Sequence, residues 1–134
     1  MKFNLYGSFL ICFLFISSCI NNVEDLTLSD DDPLPPQKEI SYASDIQPIF
    51  NSNCTGCHGG TSGVTLSSYN STMNSVGNRY GTEIVVPGNP GESPLVDKIE
   101  PNPEFGSRMP NGSGLTNEEI SKIKAWIQDG AKDN

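Results

Sequence analysis

Residues 54–58 read Cys-Thr-Gly-Cys-His, and this short motif constrains the chain more than any other stretch. Two cysteine thiols three positions apart can each form a thioether with one of the two vinyl groups of a haem. The imidazole of the adjacent His58 can then ligate the haem iron. The motif therefore predicts a single covalent c-type haem held by Cys54, Cys57 and His58.

Other interpretations of the cysteine pair remain possible from the motif alone. A lone Cys-x-x-Cys pair leaves a zinc ion short of the ligands that it usually takes. A thioredoxin-like redox pair is expected within a βαβ pattern, which this sequence lacks. A short structural disulfide followed by a chance histidine is the remaining alternative.

Length and charge narrow the class of protein. The chain has 134 residues, which is the size of one small domain. Thirteen glycines and ten prolines predict many loops, and a protein core of this size would be thin without a buried porphyrin. The net charge of −8 argues against nucleic acid and anionic lipid headgroups as partners, because both are polyanions.

Residues 1–19 have the pattern of an export signal. Lys2 precedes an apolar run over residues 9–16, which is too short for a comfortable bilayer span. Residues 16–19, Ile-Ser-Ser-Cys, resemble a bacterial lipobox, although Ile stands for Leu and Ser precedes the cysteine. We therefore expect lipidation at Cys19 and a membrane-anchored lipoprotein facing the periplasm or the cell surface. A simple cleaved secretory signal and a retained anchor are the alternatives.

Residues 20–39 form a segment of different composition. They contain six acidic side chains and three prolines, with few apolar residues to bury. Like charges, proline and low hydrophobicity together predict a disordered tether. We expect the folded domain over residues 40–134.

One helix is predicted near the start of this domain and another in its middle. Ser44 as cap, an acid in the first turn and an early proline predict a helix that leads directly into Cys54. Ser93 as cap and Pro94 at the first helical position predict another helix, which Pro101 ends.

The last helix has the most complete set of signals. Thr116 and Glu119 fit a capping box, with a hydrophobic staple around it, and Gly130 follows as the stop. The predicted inward stripe consists of Ile120, Ile123, Trp126 and Ile127. Residues 59–91 are rich in Gly, Ser, Thr and Asn and are predicted to be mostly loop.

The order of these features resembles a small bacterial class I c-type cytochrome. The likeness covers about residues 42–132 and includes Asp-Ile-Gln-Pro-Ile-Phe at 45–50 and Val-Pro-Gly-Asn-Pro-Gly-Glu-Ser-Pro-Leu at 86–95. It also includes a Trp-Ile pair in the final helix with Gly-Ala after it. The resemblance implies an all-α fold in which the N- and C-terminal helices pack around one haem, with long loops between them.

The same resemblance implies that the iron is held by His58 and, on its other side, by a methionine. Met109 lies in Ser-Arg-Met-Pro shortly before the last helix, at the family position of the distal thioether. Met73 has no following proline and is expected to be partly exposed or to fill a gap, and an open site is a further alternative. In the family a proline carbonyl commonly fixes the histidine ring, and Pro87 is the matching residue here.

The resemblance also points to candidates around the haem. Arg79, Lys98 and Arg108 are the cations considered for the haem propionates, with a solvated surface charge as the alternative for each. The side chains expected to bound the haem cavity are Phe50, Leu66, Val86, Leu95, Met109 and Trp126.

The predicted function is that of an electron carrier, not an enzyme. A His58 and Met109 pair would fill both axial positions, so that one electron at a time passes between redox partner proteins outside the cytoplasmic membrane. The alternative is a haem enzyme, or a gas or peroxide sensor, with an open distal site. The chain contains one histidine, so no distal histidine is available, and this alternative would have to use Arg108.

Overall fold

The computed structural model describes residues 38–59 and 63–134, and helices are their regular secondary structure. The predicted signal with Cys19, and the tether as far as residue 37, lie outside the described residues. The α-helices are α1 (Gln47–Asn53), α2 (Thr55–His58), α3 (Tyr69–Met73), α4 (Pro94–Ile99) and α5 (Asn117–Gln128).

The described residues contain no β-strand, only two isolated bridges between single residue pairs. This confirms the all-α fold class. None of the helices in the same residues is long and apolar enough to cross a membrane.

The first helical segment begins at Ser41, and the prediction of Ser44 as its cap is wrong. A π-helical turn, Tyr42–Ile46, precedes α1 and runs directly into it. The Ser41 hydroxyl accepts a hydrogen bond from the Ser44 N–H at 3.2 Å, so Ser44 supplies a backbone donor instead of the cap. Because Tyr42 is buried, the apolar face of the segment extends one turn further back than predicted.

Tyr42 is the centre of the helix packing. The distances from its ring centroid are 6.3 Å to Phe50, 5.1 Å to Tyr69 and 5.2 Å to Trp126. These partners belong to α1, α3 and α5, so a single ring joins three helices. The Tyr42 hydroxyl lies 3.0 Å from the Thr72 hydroxyl, and burial raises the pKa of Tyr42. Aromatic contacts of this kind add to the free energy gained from burial alone.

Helix α5 begins as predicted. The Thr116 hydroxyl accepts a hydrogen bond from the Glu119 N–H at 3.2 Å, and the Glu119 carboxylate accepts one from the Thr116 N–H at 2.8 Å. Gly130 follows the helix with a φ of 96°, in the left-handed region that glycine adopts without strain. The predicted inward stripe is confirmed as buried at Ile120, Ile123, Trp126 and Ile127.

Residues 59–91 were predicted to be mostly loop, but they contain the short helix α3. Ser68 and Ser71 form a reciprocal capping box at the start of this five-residue helix. Helix α4 begins after Ser93 as predicted, but the Ser93 hydroxyl accepts a hydrogen bond from the Val86 N–H at 2.9 Å and does not cap it. Ser93 therefore joins α4 to the preceding loop.

Replacing Thr116 with alanine should lower the free energy of unfolding by about 1 kcal/mol, because the Glu119 N–H loses its acceptor and the Glu119 carboxylate loses the hydroxyl that donates to it. Urea unfolding of the haem-loaded protein, followed by helical circular dichroism, measures the change. Thr116→Ser keeps the hydroxyl and is the matched control. Equal stabilities for the alanine and serine variants would contradict the capping role.

Candidate functional site

A cavity of about 730 Å³ opens beside the Cys-x-x-Cys-His motif. Its walls come from the end of α1, from α2, from the loops between α2 and α4, from α4 itself and from the segment that precedes α5. Cys54, Cys57, His58 and Met109 all line it. Cavities of roughly 300–1,000 Å³ with mainly apolar walls are typical of small-molecule and cofactor sites.

The backbone of the motif is helical, although α1 ends at Asn53 and α2 begins at Thr55. The Cys54 N–H donates to the Phe50 carbonyl at 2.8 Å, and the His58 N–H donates to the Cys54 carbonyl at 2.8 Å. These bonds hold the residues of the motif on consecutive helical turns. Cys54, Cys57 and His58 are therefore presented to the same cavity.

The two cysteines differ in exposure, and neither is in a disulfide. Cys54 is half-buried, whereas Cys57 is exposed. Burial, and secondly the nearby Glu119 carboxylate, raises the pKa of the Cys54 thiol to about 11. Before a thioether forms, the Cys54 thiol is therefore protonated at neutral pH.

His58 has an unsatisfied nitrogen. Its Nδ1 atom is buried and has no hydrogen-bond partner among the described residues. The predicted bond to the carbonyl of Pro87 is thus wrong, and Pro87 is an exposed residue of a turn, whereas Pro94 lines the cavity. A buried polar atom without a partner is costly. His58 itself lines the apolar cavity together with the two cysteines, and this set of side chains fits the binding of a haem.

The two candidate methionines occupy different environments. Met109 lines the cavity, and its N–H donates to the Lys98 carbonyl at 2.7 Å. Met73 packs, partly buried, against the hydrophobic core, as predicted. The structure therefore brings Met109 to the cavity of His58.

The predicted boundary of the cavity is right for half of its residues. Leu66, Leu95 and Met109 line the cavity. Phe50 and Trp126 are instead buried around Tyr42, which is a correction of the prediction. Their apolar faces turn toward the protein core, where aromatic rings meet, and not toward the cofactor cavity. Val86, the third incorrect residue, is tied through its backbone to Ser93.

Sequence reasoning missed part of the wall. Tyr80, Ile84, Ile99 and Phe105 also line the cavity. Ile99 follows Leu95 by four residues on one face of α4, a spacing that the sequence already contained. Phe105 is an isolated apolar residue in a polar segment, and no periodic signal marks it.

The three cations considered for the haem propionates differ in their contacts and in whether they line the cavity. Arg108 is committed to backbone carbonyls, because its Nε donates to Ile99 at 2.7 Å and its Nη2 donates to Leu115 at 3.3 Å. Lys98 lines the cavity, but its ammonium group donates to two carbonyls of the segment before α5. Arg79 also lines the cavity and is exposed.

Within residues 38–59 and 63–134, no group of three or more His, Cys, Asp or Glu side chains could hold a metal ion.

The cytochrome c family model matches residues 43–131. No curated protein and no solved structure matches the chain significantly. Because the family match includes the motif and nearly all described residues, the chain belongs to the cytochrome c family. It is a haem-binding electron-transfer protein, and its cofactor is covalently bound haem c.

Glu119 connects the motif region to α5 and makes stability depend on pH. Its carboxylate accepts a hydrogen bond from the Asn53 side chain at 3.3 Å, one residue before Cys54. The Thr116 backbone N–H, and secondly the Thr116 hydroxyl, hold the pKa of Glu119 below its ordinary value of 4.5. A lowered folded-state pKa means that the ionised carboxylate stabilises the fold above its unfolded pKa, and this contribution is lost as pH falls through the folded pKa.

Glu119→Gln should therefore destabilise the protein at pH 7, and its difference from the wild type should disappear under acidic conditions. Glutamine can still occupy the capping box, so the change isolates the charge. Urea unfolding at a series of pH values measures the difference. Glu118→Gln, on the exposed side of the same turn, is the control. A wild-type advantage that persisted at low pH would contradict this role.

Proposed function

We propose that this chain is a single-haem electron carrier with thioethers at Cys54 and Cys57 and axial ligands from His58 and Met109. The observation that carries the proposal is the meeting of these four side chains around one cavity of about 730 Å³. When bound, the haem supplies a one-electron iron couple. The chain provides the attachment, the ligands and the apolar walls.

The two axial side chains set the chemistry. A thioether stabilises ferrous iron relative to ferric iron better than a second imidazole does, so the pair of His58 and Met109 raises the reduction potential. Both axial positions are then filled by the protein. This leaves no position for oxygen or peroxide, which favours electron transfer over an enzyme or a sensor with an open distal site.

The surface around the motif suits exchange with another protein. Cys57 is exposed, so one side of the site lies at the surface, where a redox partner can approach. The chain carries a net charge of −8. A redox partner with a positive surface would be attracted to it, and the rate of association would then fall as salt is added.

We further propose that the protein is exported and anchored by lipid on Cys19. This proposal is supported by the apolar run and lipobox-like residues of segment 1–19. Residues 20–39 then form the acidic tether, and residues 40–134 the cytochrome domain. More than one acyl chain at Cys19 would give a stable hold on the membrane. The domain would face the periplasm or the cell surface.

Met109→Ala should abolish the weak red absorption band of methionine bound to ferric iron, while the haem stays covalently attached. Absorption spectra of the oxidised and dithionite-reduced proteins measure both properties. Met73→Ala is the matched control, because Met73 packs against the core and should leave the band unchanged.

Two results would contradict the axial assignment. One is a red band that survives Met109→Ala and disappears in Met73→Ala. The other is a wild-type high-spin spectrum that shifts on addition of carbon monoxide or peroxide. The second result would establish an open distal site and the enzyme or sensor function.

Cys19→Ala should prevent incorporation of labelled palmitate and release the protein from the membrane fraction, because the acylated thiol is removed. Labelling of growing cells followed by fractionation measures both effects. Cys12→Ala is the matched control, since Cys12 lies inside the apolar run. Unchanged labelling in Cys19→Ala would contradict the lipid anchor.

A further inference from the structure

The segment that carries Met109 joins α4 to α5 without forming a helix or strand of its own. Residues 100–116 consist of bends and turns. Such a segment has few regular hydrogen bonds to fix its conformation. A ligand on it is held in place only if other groups hold the segment.

The last turn of α4 supplies these groups through three consecutive residues. Asp97 accepts hydrogen bonds from the Glu104 N–H at 3.2 and 3.0 Å. The Lys98 carbonyl accepts the bond from the Met109 N–H at 2.7 Å. The Ile99 carbonyl accepts the bond from the Arg108 side chain at 2.7 Å. The segment is therefore attached to α4 at three residues, which are Glu104, Arg108 and Met109 itself.

Lys98 makes the largest number of these attachments. Its ammonium group donates to the Phe105 carbonyl at 2.7 Å and to the Ser107 carbonyl at 2.5 Å. Together with its own carbonyl, Lys98 contacts three residues within the five that end at Met109. Hydrogen bonds from a charged donor are stronger than those between neutral groups. A cation at the end of α4 is also favoured by the helix dipole.

Two further contacts support the same arrangement. The Tyr80 hydroxyl donates to Asp97, and the rings of Tyr80 and Phe105 pack edge to face at 5.0 Å. Beyond Met109, Gly114 has a φ of 70°, and a Cβ there would lie 2.7 Å from the Arg108 guanidinium carbon. Gly114 thus leaves the space that Arg108 occupies. The segment is held on both sides of Met109.

We propose that Lys98 is a positioning residue, which, through the carbonyls of Phe105 and Ser107, holds the segment in the conformation that presents Met109 to the haem iron. The inference rests on the proposed ligation by Met109. It adds a residue that does not bind the iron but determines how firmly Met109 does. Without these bonds the segment populates conformations in which the thioether lies away from the iron.

Lys98→Leu tests this role, since leucine replaces the apolar stem of the lysine side chain but lacks its charged donor. Haem-loaded variants are titrated with imidazole in the ferric state, because imidazole must displace Met109 in order to bind. We expect imidazole to bind about tenfold more tightly to Lys98→Leu than to the wild type, and the methionine-to-iron band to weaken. Lys98→Arg keeps a charged donor and should retain most of the wild-type behaviour.

Lys122→Leu is the matched control. Lys122 pairs with Glu118 on the surface of α5, at 2.9 Å, and should leave imidazole affinity unchanged. The free energy of unfolding is measured for all variants, so that a general loss of stability is separated from a local release of Met109. If Lys98→Leu fails to fold, Lys98→Gln, which is too short to reach both carbonyls, gives the same comparison.

The outcomes separate the two claims. If the wild type shows the methionine band and Met109→Ala loses it, Met109 is the iron ligand. Equal imidazole affinities in Lys98→Leu and Lys122→Leu would then overturn the positioning role of Lys98. If the wild type lacks the band, the proposed ligation itself fails. Tighter imidazole binding in Lys98→Leu, with no change in Lys122→Leu, supports both.

Discussion

Tyr42 packs against aromatic rings from three helices, and this contact decides which apolar side chains are left to bound the cofactor cavity. It joins the start of the helical domain to α1, α3 and α5 through contacts between aromatic side chains. Because Phe50 and Trp126 are used in this core, the cavity is bounded by other side chains. The protein therefore has an aromatic core around Tyr42 and a separate apolar cavity that begins at the C-terminal end of α1.

The walls of this cavity differ in how they are built. The side that carries Cys54, Cys57 and His58 is helical, and backbone hydrogen bonds within one segment fix it. The side that carries Met109 has no regular structure, and side chains from α4 fix it instead. The proximal side is thus set by local sequence, whereas the distal side depends on contacts between segments. For this reason, a substitution at Lys98 would weaken the binding of Met109 to the iron, although Lys98 is not itself an iron ligand.

Features with local causes could be predicted from the sequence. The capping box at Thr116, the inward stripe of α5 and the start of α4 each follow from neighbouring residues. The role of Tyr42 could not be predicted, because it depends on partners far along the chain, such as Thr72. Helix α3 has a local capping box at Ser68 and Ser71, but its five residues are too few to give a periodic signal. Periodicity identified Phe50 and Trp126 as buried, but not whether they face the core or the cavity. The motif and Met109 were found because spacing and family resemblance mark them.

Ligation of one haem by His58 and Met109 can be observed in a crystal structure of the oxidised, haem-loaded protein. Such a structure would show the iron ligands, the two thioethers and the Lys98 contacts in the same molecule. We expect a His58 nitrogen and the Met109 sulfur to be bound to the iron on opposite faces, with Cys54 and Cys57 joined to the porphyrin. Iron with water or no ligand opposite His58, and Met109 turned away from it, would contradict the account.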